Sequence, residues 1–233
     1  MKTLVIIPAY NEEEAIVETI NNLKKCCDGM VDYVIINDCS KDNTLKKCNE
    51  NNFNVINLPI NLGIGGAVQT GYKYAYRFGY DIAIQMDADG QHDPKYISEI
   101  IEKIKAGNDM VIGSRFIEKN GFQSTFVRRI GINLYSKIIK LFTGKVIKDT
   151  TSGYRAVNKK IIKIFANNYP VDYPEPETDA FIAKNKFEIF ELPMQMKERD
   201  TGSSSITPIK SIYYAIKVGL AVTLACIFKN KEV

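Results

Sequence analysis

Short apolar runs alternate with longer mixed stretches along the first half of the chain. "TLVII" (3–7), "YVIIN" (33–37), "NVINL" (54–58), "IAIQM" (82–86) and "DMVIG" (109–113) are almost continuously apolar. Runs this short, without helical spacing, predict strands buried on both faces. Between them the apolar positions recur every three or four residues. Ile16, Ile20 and Leu23 give one helix its buried face, with Asn11 as its cap and Glu14 as the return half of a capping box. "GGAVQTGYKYAYRFG" supplies a second helix. Asp93-Pro94 opens a third, whose Ile97, Ile100, Ile101 and Ile104 share one side. Repeated strand–helix units predict an α/β fold, a mostly parallel sheet flanked by helices.

After residue 115 the pattern changes. "STFVRRIGINLYSKIIKLFTGK" (124–145) is apolar at helical spacing but carries Arg128, Arg129, Lys137, Lys140 and Lys145. "KDTTSGYRAV" and "FEIFELPMQMKERD" predict further strands, and "TGSSSI" a polar loop. "SIYYAIKVGLAVTLACIF" (211–228) has Lys217 in its middle. A membrane span needs roughly 20 apolar residues, so this stretch predicts an interfacial or packed terminal helix. The expected division is a domain at 1–205 and an amphipathic C-terminal helix within 206–233.

Composition narrows the function. The 233 residues suffice for one sizeable core, and a net charge of only +4 does not argue for nucleic acid as a partner. Five cysteines without a CxxC pair, and one histidine, make a zinc site a poor reading and reduced cytoplasmic thiols the better one. "MKTLVIIPAYNEEE" reads as a strand and helix start, not as a signal peptide.

In parallel sheets, ligands bind beyond the carboxyl ends of the strands. There this chain places "PAYNEE", "NDCSKDNT", "DADGQ" and "GSR". Asp87 and Asp89 alternate along extended chain, so both can enter one site if Ala88 turns away. With Gln91 they make an oxygen site for Mg²⁺ or Mn²⁺, ions that take the rest of their ligands from phosphates. A turn with helix-capping aspartates is the bland alternative. Gly63, Gly65 and Gly66 fit neither a phosphate loop nor a dinucleotide fingerprint and read as a tight turn into a helix. His92 reads as a turn residue beside the acids.

Taken together and in order, "IIPAYNEE", "IINDCSKDNT", "NLGIGGAVQTGY", "MDADGQHDP", "GSR" and "DTTSGYRAV" resemble the family 2 glycosyltransferases of the GT-A fold. The branch is that of the dolichyl-phosphate mannose synthases and bacterial polyprenyl-phosphate sugar synthases, and the likeness runs from about residue 3 to 205. The resemblance implies that Pro8, Tyr10, Glu12 and Asp38 border the nucleotide, with Gly63 near it. It implies that Asp87, Asp89 and Gln91 surround the metal. Arg115 and Arg199 match arginines near the donor diphosphate or the acceptor phosphate. Asn37 stands where the family has an acid, and Ser205 where the mannose synthases have lysine. With "YPVDYPEPETD", these departures shift the expected donor from a GDP-sugar to a UDP-sugar, UDP-N-acetylglucosamine or UDP-glucose.

The basic helix at 124–145 and the apolar one at 208–228 make two surfaces suited to a bilayer, with Arg128 and Arg129 at headgroup level. The expectation is inverting transfer from a nucleotide-sugar to polyprenyl phosphate, for a cell-envelope glycan. The enzyme would sit peripherally on the cytoplasmic face of the cell membrane, and a small membrane subunit is compatible with that placement. A phosphate acceptor needs no base. A hydroxyl acceptor on a glycan or protein would need one, for which Glu177 and Asp179 are the candidates, although both equally suit helix capping. A non-catalytic nucleotide-sugar binding module docking a membrane partner is the third reading.

Overall fold

Successive residues of a strand face opposite ways, so a continuously apolar strand must be covered on both sides. The first strand, β1 (Thr3–Ala9), is wholly buried. Leu4 and Ile6 enter one core cluster, and Val5 and Ile7 the other. The computed structural model describes residues 1–118, 126–172, 174–196 and 208–228, and their side chains except those of 126–128 and 208–215.

The other strands are β2 (Asp32–Asn37), β3 (Val55–Asn57), β4 (Ile82–Gln85), β5 (Met110–Ser114), β6 (Arg155–Asn158) and β7 (Ile189–Pro193). All lie within the apolar runs the sequence marks, to within a residue or two. They form one seven-stranded sheet in the order β3-β2-β1-β4-β6-β5-β7. β1 pairs in parallel with β2 and β4, as do β2 with β3 and β5 with β7. β6 runs antiparallel to both its neighbours, β4 and β5.

Helices cover both faces. α1 (Ile16–Cys27), α2 (Thr44–Glu50) and α4 (Ile97–Lys105) bury Ile20, Cys48 and Ile100 against one side. α3 (Gly63–Arg77), α5 (Phe126–Thr143), α6 (Lys159–Asn167), α7 (Pro174–Lys184) and α8 (Pro208–Phe228) cover the other. α3 lies so close to β1 that a Cβ on Gly71 would collide with Ile6. α8 packs along α5 and α7, and its Val218, Val222 and Ala225 join the same core as Ile139 and Ala180. It is a wall of the domain.

One local expectation is corrected. Asn11 and Glu14 do not cap α1, whose N-cap is Ala15 with no side-chain bond. Asn11 adopts a left-handed conformation (φ 57°). Its Oδ1 accepts from the Lys41 amide at 2.8 Å and its own amide donates to Ser40 Oγ at 3.0 Å. The loop after β2 therefore competes successfully for Asn11. A turn at Glu12–Ala15, closed on the Glu12 carbonyl, delays the helix. Asp93 does cap its turn, accepting from the Lys95 amide at 3.0 Å, ahead of a short 3-10 segment at Pro94–Tyr96 that leads into α4.

Candidate active site

A strand's carboxyl end is where its successor loop must emerge, so neighbouring parallel strands bring their loops to one rim. Here the rim holds a cleft of about 470 Å³, lined by the end of β1, by residues following β1, β2 and β4, by the start of α3, by the segment before β6 and by the first turn of α7. Pro8, Tyr10, Glu12, Asp38, Gly63, Asp87 and Asp89 all line it, joined by Asn61, Thr151, Gly153 and Glu175.

The loops after β1 and β2 are laced together. The Glu12 amide donates to Thr44 Oγ1 at 2.8 Å, and the Glu13 amide to Asp42 Oδ2 at 3.1 Å. Asp38 is buried, and its Oδ1 accepts from the Leu62 amide at 2.7 Å, which fixes the entry to α3. Asn37 donates from its amide group to Asn57 Oδ1 at 2.6 Å, so it ties β2 to β3. Gly63 takes a positive φ (73°) at the first position of α3.

The acids of "DADGQ" follow β4, with Ala88 and Asp89 already in a turn rather than in extended chain. Ala88 is buried in the core, while Asp87 and Asp89 face the cleft. Asp89 Oδ1 accepts from the Gln91 amide at 3.1 Å, closing the turn. Gly153 stands opposite Asp87: a Cβ there would lie 2.9 Å from Oδ2 and 3.1 Å from Oδ1. Gly153→Ala is expected to displace the Asp87 carboxylate and slow whatever reaction the cleft catalyses roughly tenfold or more, by the sensitivity of catalysis to ångström misplacement. Unaltered initial rates in a folded variant would show that this contact is slack.

His92 lies in a bend beside the acids, as read, but it is buried there, 5% exposed. Its ring stacks on Tyr154, centroids 4.7 Å apart, and its Nδ1 accepts from the Asp87 amide at 2.9 Å. Burial lowers its pKa to about 4; Arg115 also lowers it, while Asp89 and Asp149 pull the other way. The folded protein thus holds this ring neutral at pH values where the unfolded chain protonates it. Its contribution to stability is complete above about 6.5 and is lost as pH falls towards 4. In metal-free protein, the stability difference between wild type and His92→Phe should shrink by about 3 kcal/mol from pH 7.5 to 4. Urea titrations at both pH values check this, and a pH-independent difference would refute it.

Arg115 was expected at a phosphate. The structure instead buries it, with Nε 2.8 Å from Asp149 Oδ2 and Nη2 2.7 Å from Oδ1, and with Nη2 donating to Thr151 Oγ1 at 3.0 Å. A guanidinium so engaged anchors the loop that brings Thr151 and Gly153 to the cleft. Arg129 is exposed, and its guanidinium and that of Arg115 lie 5.7 and 5.3 Å from the Phe116 ring centre. The side chain of Arg128, and Arg199 and Ser205 entirely, lie outside the described residues.

Asp179, one of the two base candidates, does not reach the cleft. It is fully buried and paired with Arg155 at 3.0 Å. Burial pushes its carboxyl up to about 8 against the pull of Arg155. Glu177 does not line the cleft, whereas Glu175 does. Burial raises the Glu175 pKa; Arg155 opposes this and Asp87 reinforces it. Glu175 and Asp179 are four apart and share a side of α7, with Glu177 turned away from them.

Beyond the cleft, α8 leaves Ile216, Leu220 and Leu224 exposed at four-residue spacing, and α5 leaves Ile130 and Leu134 exposed. Among the described residues, no helix is long and apolar enough to cross a membrane.

Comparison with known proteins is consistent with this architecture. The pattern of glycosyl transferase family 2 matches residues 4–165. The chain is 36% identical to UDP-N-acetylglucosamine–dolichyl-phosphate N-acetylglucosaminyltransferase of Methanococcus voltae, over 82% of this chain and 84% of that one. It is 28% identical to polyprenol monophosphomannose synthase of Mycolicibacterium smegmatis, over 88% and 81%. Glucosyl-3-phosphoglycerate synthase of Mycobacterium tuberculosis, solved with Mn²⁺, uridine diphosphate and phosphoglyceric acid, superposes with a TM-score of 0.73. The superposition covers 100% of this chain and 81% of that one at 16% identity, a likeness of fold. With the GT-A architecture in place and the family pattern covering most of its length, the chain belongs to glycosyl transferase family 2.

Proposed function

We propose that the protein transfers a sugar from a nucleoside diphosphate to a polyprenyl phosphate, with inversion, at a membrane surface. The observation that carries this reading is the convergence of Asp87 and Asp89 on one cleft with Tyr10, Glu12 and Asp38. Asp87 and Asp89 would hold Mg²⁺ or Mn²⁺, whose charge offsets that of a departing diphosphate. The donor set fits such an ion. Among the described residues no three His, Cys, Asp or Glu side chains gather into a closed site, so phosphate oxygens would complete the coordination. Gln91, whose amide closes the turn on Asp89, is the third residue assigned there. Pro8, Tyr10, Glu12 and Asp38 would border the nucleoside, and Gly63 would let the backbone approach it. Arg115 would act by positioning Thr151.

A phosphate monoester is largely dianionic at neutral pH, its second pKa being about 6, so it attacks without a base once cations let it approach. Arg129, exposed beside Phe116, suits that task, and Arg128 and Arg199 are assigned it with Arg129. The apolar row on α8 and the cationic α5, with Lys137 and Lys140, support a peripheral seat on the cytoplasmic side of the cell membrane. The segment "YPVDYPEPETD" favours a UDP-sugar, and Ser205 in place of a lysine counts against a GDP-sugar. The M. voltae relative is named for a UDP-sugar and the M. smegmatis relative for mannose.

The test is a panel of labelled UDP-N-acetylglucosamine, UDP-glucose and GDP-mannose with undecaprenyl phosphate in vesicles and Mn²⁺ or Mg²⁺. Label should enter the organic phase from a UDP-sugar. Label confined to water-soluble products would remove the lipid acceptor, and transfer from GDP-mannose alone would remove the UDP donor. Glu175 in the cleft favours one second reading, a hydroxyl acceptor, with Glu175 as base. Lipid-independent transfer abolished by Glu175→Gln would establish it.

A further inference from the structure

His92 is the only histidine in the chain. Its surroundings fix which nitrogen carries the proton. The Asp87 amide points its hydrogen at Nδ1 from 2.9 Å, so Nδ1 must offer a lone pair. A proton on Nδ1 would set two N–H groups head to head. The ring proton therefore belongs on Nε2, which lies 3.7 Å from Asp87 Oδ2. That is longer than a hydrogen bond but close enough for an N–H dipole to attract a carboxylate in a buried setting.

The ring cannot swing away from this post. Tyr154 stacks on it at 19° between planes, and the Tyr154 hydroxyl is itself tied to the Asp93 carbonyl at 3.0 Å. The residue before Tyr154 is Gly153, in the segment leading into β6, which lies so close to the Asp87 carboxylate that a Cβ there would stand 2.9 Å from Oδ2. One dipeptide thus restrains both the carboxylate and the ring beside it.

We infer that His92, in its Nε2–H form, is a positioning residue that braces Asp87 from both its amide and its carboxylate. It presets the side chain that faces the donor diphosphate. In this geometry His92 is not a ligand, because one nitrogen is occupied by the amide and the other bears hydrogen. The role towards the diphosphate rests on the function proposed above; the tautomer does not.

Two measurements test this. With one imidazole per chain, two-bond ¹H–¹⁵N correlation spectra of wild-type protein at pH 7.5 assign the tautomer unambiguously. The Nε2–H pattern is expected; an Nδ1–H pattern, or both nitrogens protonated, overturns the proposal. Second, His92→Phe keeps a ring on Tyr154 and loses both contacts to Asp87. Mn²⁺ affinity in the presence of UDP should fall about 10–100-fold, the usual effect of losing an outer support of a ligand. The Mn²⁺ concentration for half-maximal activity should rise in step, and kcat at saturating Mn²⁺ should change less than that affinity does. Unchanged Mn²⁺ affinity in the folded variant overturns the brace. If His92→Phe does not fold, the nitrogen shifts of wild type decide alone. If wild type takes up no Mn²⁺ with UDP, the functional reading falls, and those same shifts still decide the brace.

Discussion

Asp89→Asn should fold normally and lose sugar transfer by about 10²–10³-fold, the scale of removing one preorganised electrostatic contact at a leaving group. The substitution keeps the size of the side chain. Its amide oxygen can still accept from the Gln91 amide, now 3.1 Å from Oδ1, so the turn after β4 survives. What changes is one negative charge on the wall of the cleft. Initial rates of label transfer, with a thermal melt to confirm the fold, make the measurement. A folded variant within threefold of wild type would mean that Asp89 takes no part in gripping the donor.

Arg155→Met should destabilise the protein by about 3–5 kcal/mol, the range for stripping one partner from a buried ion pair. Arg155 is fully buried in the strand beside the cleft. It donates to the Ser152 carbonyl from Nε at 3.0 Å and from Nη2 at 2.6 Å. From Nη1 it reaches the Glu175 carbonyl at 3.2 Å, Thr178 Oγ1 at 2.9 Å and Asp179 Oδ1 at 3.0 Å. Removing it leaves Asp179 without its countercharge and several acceptors without donors. Adding Asp179→Leu should recover part of the loss, since an apolar pair often replaces a buried ion pair at little cost. Urea unfolding of the single and double variants reads both effects. A single-variant cost below 1 kcal/mol would contradict the role of Arg155 as the tie between α7 and the loop before β6.

The strands were legible because burial on both faces writes them as unbroken apolar runs, and Leu4 through Ile7 show this plainly. Asp87 and Asp89 were legible because they directly follow a buried strand, although a turn at Ala88 and Asp89, not strand alternation, is what the structure shows there. What escaped depends on residues distant in sequence. Nothing near Arg115 announces Asp149, 34 positions away, so its burial and its carboxylate partner could not be read. Asn11 looked like a helix cap because Ser40 and Lys41, which claim it, lie across a strand and a helix. The short helix α2, and α6 and α7, have too few turns or too many charges and prolines to stand out. Their places come from packing. His92 could not be known as buried without Tyr154, which arrives from β6.

The reversal of β6 has a practical corollary for anyone redesigning the enzyme. Its neighbour β4 delivers residues to the rim of the cleft after it ends, but β6 delivers them before it begins, through Thr151 and Gly153. Substrate preference should therefore be retuned by edits upstream of residue 155. The downstream junction at Asn158 is closed to such edits, because Asn158 accepts from the Ile161 amide at 3.1 Å to cap α6 and donates to Asp109 at 2.8 Å.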